Sequence, residues 1–314
     1  MAYSAGGLTS AEITSFSNDK PMMVVQQVNG TNYPAAVGWR EADGEIADAD
    51  RTDAAFPAIR AYDDFGSIVT KDTSSTDTEK YFVLNMDSRV VTFDTLFIYG
   101  HNFRSIGAES VALEIANAAD FGSGLIEIYK ETFSGTTDTR ISCFNLNSAG
   151  GSSTYSAGGT AQKYSAVQYI RIKVTFADTS ASRQLEMGEL FLGKRYSLQR
   201  NPDIPWNNKQ ESSLVTDFIS KSGITKRYVM YRGQASRSFR ATIAADAEIS
   251  VIDGWYNDIE EGTRAFTYVE TPSSSPQAML VMMDATTLLF PLNGPFDRSL
   301  TFGMSEQAPF LSRE

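Results

Sequence analysis

The strongest constraint on this chain is a repeat of period two. In Tyr169-Ile170-Arg171-Ile172-Lys173-Val174-Thr175-Phe176 every second residue is apolar. Successive strand side chains point to opposite faces, so Ile170, Ile172, Val174 and Phe176 are expected on a core, with Arg171, Lys173 and Thr175 outward. The signal recurs along the chain. Tyr81 to Met86 reads as a buried strand, Val91 to Gly100 as the next, and Val111 to Ile115 alternates cleanly. Leu185 to Leu192 supplies another, broken by Gly188. Several strands separated by polar turns, with no helical spacers, imply an antiparallel β-sandwich or jelly roll.

One stretch departs from this period. Ile249, Ile252, Tyr256 and Ile259 share a helical face, with Asp246 as N-cap and Gly262 as the C-terminal stop. Trp255 on this helix and Phe266 just after it are expected in a core. Strands are expected at Lys226 to Gln234 and Arg237 to Ile243 before the helix. After it they are expected at Arg264 to Val269, Ala278 to Met283, Thr287 to Pro291 and Ser299 to Gly303. The chain therefore reads as mainly β, a jelly-roll sandwich followed by a small α+β domain with one main helix. At 314 residues it is long enough for two cores. The boundaries read as an irregular arm over 1–56, the jelly roll over 57–195, a Pro-rich linker over 196–211 and the α+β domain over 212–314. Within the arm, Met22-Met23-Val24-Val25 is a candidate short strand.

Composition narrows the function. The 27 basic residues stand against 38 acidic ones, a net charge of −11, which disfavours non-specific nucleic-acid binding. No run of eighteen apolar residues predicts a membrane-spanning helix, and Met1 to Gly7 lacks the pattern of a secretory signal. Synthesis in a cytoplasm is the expectation, with export only as part of a larger particle. Cys143 is the lone cysteine, lies in an alternating pattern and reads as a small core residue. His101 is the lone histidine, so a Cys/His nucleophile pair is not expected. The adjacent acids Asp63-Asp64 and Glu260-Glu261 read as solvated, not as carboxylates opposed across a cleft. No catalytic residue, cofactor or metal is expected. The acidic stretch Glu41 to Arg51 leaves two readings, a solvated loop or a calcium loop, although the EF-hand spacing is not met. Asn147 to Thr160, rich in Ser and Gly, reads as a long loop at one end of the sandwich.

Two resemblances add to this. Tyr81 to Asp87, Phe93 to Phe103, Tyr169 to Ile172 and Gly188 to Gly193 are similar in strand order and punctuation to the discoidin-like, galactose-binding-like jelly roll. Many such domains bind sugars at one end, and on that hypothesis Tyr62, Asp63, His101, Asn102 and Tyr155 are the loop candidates for a glycan. The stretch from Tyr196 to Glu314 resembles phage tail-tip and distal-tail domains through Trp255, Gly262-Thr263-Arg264-Ala265-Phe266 and the ending Leu300 to Glu306. That resemblance implies a non-enzymatic structural component of a phage virion, of its tail, whose partners are other virion proteins and copies of itself. Its interface residues are expected at Trp206 in the linker and at Leu300 and Phe302 in a final strand free to extend a neighbour's sheet. The alternative is a carbohydrate- or receptor-binding module that uses the jelly-roll loops.

Overall fold

The computed structural model describes residues 21–27, 34, 37–41, 43–62, 69–86, 91–116, 118–122, 125–133, 141–145, 163–164, 168–198, 207–210, 214–219, 225–231, 235–243, 246–269, 278–284 and 298–306. Two antiparallel sheets dominate these residues. The smaller has five strands in the order Val37–Arg40, Glu79–Asn85, Tyr169–Phe176, Ala108–Ala116, Ile126–Thr132. The larger has nine, in the order Asn207–Gln210, Ala235–Ile243, Arg298–Glu306, Ala278–Met283, Phe266–Val269, Met22–Gln26, Glu189–Ser197, Thr95–Tyr99, Ile141–Asn145. The one α-helix described spans Asp246–Asp258. The architecture is the mainly β, antiparallel one that the period-two repeat predicts.

Alternation explains how one sheet serves several cores. Leu96 and Ile98, with Leu190 and Leu192, face Phe82, Leu84, Leu113, Ile170 and Ile172 of the five-stranded sheet, and together they form the sandwich interior. Their neighbours Phe97, Tyr99 and Phe191 point the other way, into a cluster with Met22 and Val24. Further along the large sheet, Met23, Val25, Phe266, Tyr268, Leu300 and Phe302 pack with Ile252 and Trp255 of the helix and with Ile259 just past its end. Trp255 and Phe266 are fully buried, as expected, with ring centroids 5.1 Å apart and nearly perpendicular. The Tyr169–Phe176 strand has the bounds read from sequence, and the expected break at Gly188 separates Glu186–Met187 from Glu189–Ser197. Past the helix, Glu260 and Glu261 take positive φ before Gly262, and the amide of Gly262 donates to the Ile259 carbonyl.

Three expectations are revised. First, the arm and the C-terminal strands belong to one sheet. Met22–Gln26 pairs on one edge with Glu189–Ser197 and on the other with Phe266–Val269. Local sequence cannot show this, because Met22–Gln26 lies well over a hundred residues from either partner strand. At Gly193 the fit is so close that an added Cβ would lie 2.2 Å from a methyl of Val24. The linker also contains a strand, Asn207–Gln210, while Trp206 lies outside the described residues.

Second, Leu300 and Phe302 are interior residues, not an interface. They are 0% and 5% exposed. Their backbone pairs with Ala241 and Phe239 of the Ala235–Ile243 strand, and the end of their strand, Met304 to Glu306, pairs with Val281 to Met283 on the other side. Third, Arg171 does point away from the sandwich core, but it is only 6% exposed because the outer face is covered. Tyr81, Val83, Phe121 and Tyr169 form a small cluster there. Arg171 lies over the Tyr81 and Phe121 rings, at 4.7 Å and 4.3 Å, and donates to Glu114 at 2.5 Å and to the Asp43 carbonyl at 2.6 Å.

Candidate functional site

The sandwich has an end where the strands leave for the turns at 69–78, 100–107 and 177–187, and these turns are fastened to one another. Lys80 and Asp72 form an ion pair at 2.5 Å with both side chains 4% exposed. Asp72 also accepts from the Leu185 amide at 2.5 Å. Burial raises the Asp72 carboxyl from 3.8 to about 6, against the lowering effect of Lys80 and the Leu185 amide.

This fastening uses up residues that the sequence offered as sugar ligands. The Asn102 amide donates to the Gln184 carbonyl at 3.0 Å and accepts from the Glu186 amide at 2.9 Å, so it clamps two loops together. His101 is 5% exposed and stacks against Phe103 at 4.6 Å. Tyr62 is 7% exposed at the end of the short 3-10 turn Ala58–Ala61 and belongs to the sandwich core, so it is not an exposed loop residue. Asp63 and Tyr155 lie outside the described residues. The same holds for the loop at 147–160 and the expected strand at 287–291. Cys143 lies on the Ile141–Asn145 strand, opposite Phe97.

The acidic stretch at 41–51 packs down as well as facing solvent. Glu41 pairs with Arg51, Asp50 with Arg40 at 3.1 Å, and Asp48 accepts from the Glu45 amide at 2.8 Å. Gly44 has φ +72 and sits under the Tyr81 ring, where a Cβ would come within 2.4 Å of the ring carbon. No group of three or more metal-ligating side chains occurs among the described residues. Lys194 pairs with Asp258 of the helix at 3.1 Å, and the Arg195 amide donates to Asp94 at 3.0 Å.

What stays open at this end is a groove of about 470 Å³ between the Ala108–Ala116 and Ile126–Thr132 strands and the turn before them. Its polar lining is Arg104, Glu109, Ser110, Lys130, Thr132 and Thr175, with Phe133 as its aromatic ring. A tight turn sets Arg104: the amides of Ile106, Gly107 and Ala108 donate to the carbonyls of Asn102, Arg104 and Phe103. The Arg104 guanidinium then lies over the Phe133 face at 4.7 Å. Phe133 is fixed by its amide, which donates to the Glu109 carbonyl at 2.7 Å. Sequence reasoning passed over these residues, because a turn, two strand ends and Thr175 converge only in space. Their one local signal was the position of Arg104 in the strand exit that carries His101 and Asn102.

No family model matches the chain, and no curated protein matches it. Solved structures similar to it include the CBM32-1 domain of a family 31 glycoside hydrolase from Clostridium perfringens, at 17% identity over 52% of this chain and 97% of that one, with a TM-score of 0.32. An F5/8 type C domain from Bacteroides fragilis matches at 14% identity over 51% of this chain and 90% of that one, TM-score 0.31. CBM32-1 and CBM32-2 of Clostridium perfringens ZmpB, solved with GalNAc, match at 12% identity over 55% of this chain and 35% of that one, TM-score 0.34. At such scores the likeness assigns neither a site nor a ligand to this chain.

Proposed function

We propose that this chain is a non-catalytic glycan-binding protein whose binding surface is the groove at the end of the sandwich. The observation that carries the reading is the groove itself. Its volume of about 470 Å³ lies within the range of small-ligand sites, and its lining combines hydroxyls, charges and one aromatic ring. Glu109 is its single carboxylate, so the opposed acid pair of glycoside hydrolysis is not part of it. A glycan array followed by titration calorimetry tests the reading. Wild-type protein is expected to bind a subset of glycans. Thr132→Leu, which places a branched apolar side chain at an exposed groove position, is expected to weaken that binding at least several-fold without lowering Tm. An array with no signal, or binding indifferent to Thr132→Leu, overturns it.

A second reading, that of a structural component of a phage tail, has one observation in its favour. The nine-stranded sheet runs through both halves of the chain and ends on Asn207–Gln210 and Ile141–Asn145, each paired on one side only among the described residues. Such edges suit strand addition by a second copy or by another virion protein. Light scattering on size-exclusion fractions is expected to show an oligomer, and labelled antibody is expected to mark source particles at one place. A monomer at all concentrations together with unlabelled particles removes this reading and leaves the glycan one intact.

A further inference from the structure

The strands Asn207–Gln210 and Ala235–Ile243 close one edge of the large sheet, while Leu214–Ile219 and Thr225–Tyr231 form a two-stranded sheet of their own. Register connects the two pairs. Gln210 lies opposite Ala235 and Leu214 opposite Tyr231, an equal step of four residues along each strand. One shift, between Leu214 and Val215, then carries the pairing on to Ile219 and Thr225. The four strands therefore belong to one ribbon. Ala235–Ile243 meets its second neighbour, Arg298–Glu306, only from Ser236 onward. Past that point the ribbon has no third strand among the described residues. Leu214–Ile219 alone adds about 20 Å of length at roughly 3.3 Å per residue.

A two-stranded ribbon is marginal in water by itself. This one is rich in apolar residues: eight of the thirteen in Leu214–Ile219 and Thr225–Tyr231 are Leu, Val, Phe, Ile, Tyr or Met. The register sets Val215 opposite Val229 and Thr216 opposite Tyr228, so apolar residues fall on both faces. A ribbon of this composition is stabilised by burial against another surface. Charge identifies the surface. The four strands carry five basic residues, Lys209, Lys226, Arg227, Arg237 and Arg240, against the single acid Asp217. The rest of the chain holds 22 basic and 37 acidic residues. A ribbon of net charge +4 on a body of −15 is complementary to the body of another copy.

We infer that the hairpin over 214–231 is an arm that docks on the acidic body of a second copy of this chain. Its apolar residues supply the buried area, and the ribbon's cations, Lys209 and Lys226 among them, supply attraction and orientation. This rests on the second reading above, in which copies of the chain join, and gives that reading a dedicated contact element.

The test is sedimentation velocity of the full chain over a range of concentrations. Wild type is expected to self-associate at low salt, and to do so at least about tenfold more weakly when NaCl rises from about 50 to about 500 mM. Lys209→Glu with Lys226→Glu is expected to weaken association by a similar factor with Tm unchanged. Replacement of 213–232 by Asn-Gly, a two-residue turn able to close the Asn207–Gln210 ladder, is expected to abolish it. If the deletion does not fold, the charge variant decides. Carbodiimide coupling in a mixture of chains carrying light and heavy nitrogen is expected to join Lys226 to a carboxylate of the other isotope. Self-association that both variants retain overturns the arm and leaves strand-edge assembly standing. A wild-type monomer at all concentrations also overturns the arm, and particle labelling then decides the second reading separately. Coupling within single chains only, or binding of a DNA duplex in place of self-association, overturns the arm as well.

Discussion

Trp255→Ala tests the packing of the helix and the unity of the large sheet together. The indole is fully buried, with Phe266 and Phe302 each 5.1 Å away between ring centroids. A tryptophan of this kind removes roughly 150–250 Å² from water, which at ~25 cal/mol per Å² corresponds to about 4–6 kcal/mol as an upper figure. Partial collapse of the cavity and the better helix propensity of alanine recover some of this, leaving a loss of about 3–5 kcal/mol. The assay is guanidinium unfolding followed by far-ultraviolet circular dichroism and by fluorescence. A Trp206→Phe background leaves Trp39, buried against Phe82 in the sandwich core, as the only reporter in the Ala variant. Because Met22–Gln26 joins the helix-bearing strands to the sandwich strands, both signals are expected to shift together to lower denaturant. A loss below about 1 kcal/mol would falsify the burial argument. A shifted dichroism transition with an unmoved Trp39 transition would instead show that the two halves unfold separately.

Gly193→Val places side-chain atoms where the Val24 methyl already lies, and overpacking of this kind costs about 1–3 kcal/mol; thermal melts read it, and an unchanged Tm refutes the register. Glu114→Ala strands the buried Arg171 and is expected to cost about 3–5 kcal/mol, whereas Glu114→Leu combined with Arg171→Met should fall within about 1 kcal/mol of wild type or above it. Unfolding curves in which the double variant is the less stable contradict a desolvated pair. The Asp72 carboxyl, raised to about 6 in the fold, binds its proton more tightly there than in the unfolded chain. The stability that this proton confers is present below about pH 4 and is lost as pH rises through about 6, by up to ~3 kcal/mol. Unfolding free energies from pH 4 to 7 are expected to fall in wild type and to fall less in Asp72→Asn; parallel curves refute it.

Part of this molecule is fixed by local sequence. The strict alternation of Tyr169 to Phe176 sets a strand with one apolar face, and the spacing of Ile249, Ile252, Tyr256 and Ile259 sets a helix with one buried side, because these periods are those of the backbone itself. Gly188 and Gly262 mark breaks for the same local reason. The sequence also determined that Trp255 and Phe266 are interior, since large rings beside a helix and a strand have few other places to go. Only the tertiary structure decided what covers each second face. Arg171 alternates outward as the period demands, yet it ends buried because Asp43, Gly44 and Phe121 arrive from distant segments. Leu300 and Phe302 could have formed an exposed edge until the Ala235–Ile243 strand paired with their backbone and the helix covered their side chains. His101 and Asn102 carry the chemistry of a sugar site, but a local ring contact of His101 with Phe103 and long-range hydrogen bonds of Asn102 to Gln184 and Glu186 commit them to the scaffold. The groove of Arg104, Glu109, Lys130 and Phe133 has no linear signature, because a binding surface is a convergence of separate strand ends, and convergence is a property of register and sheet order.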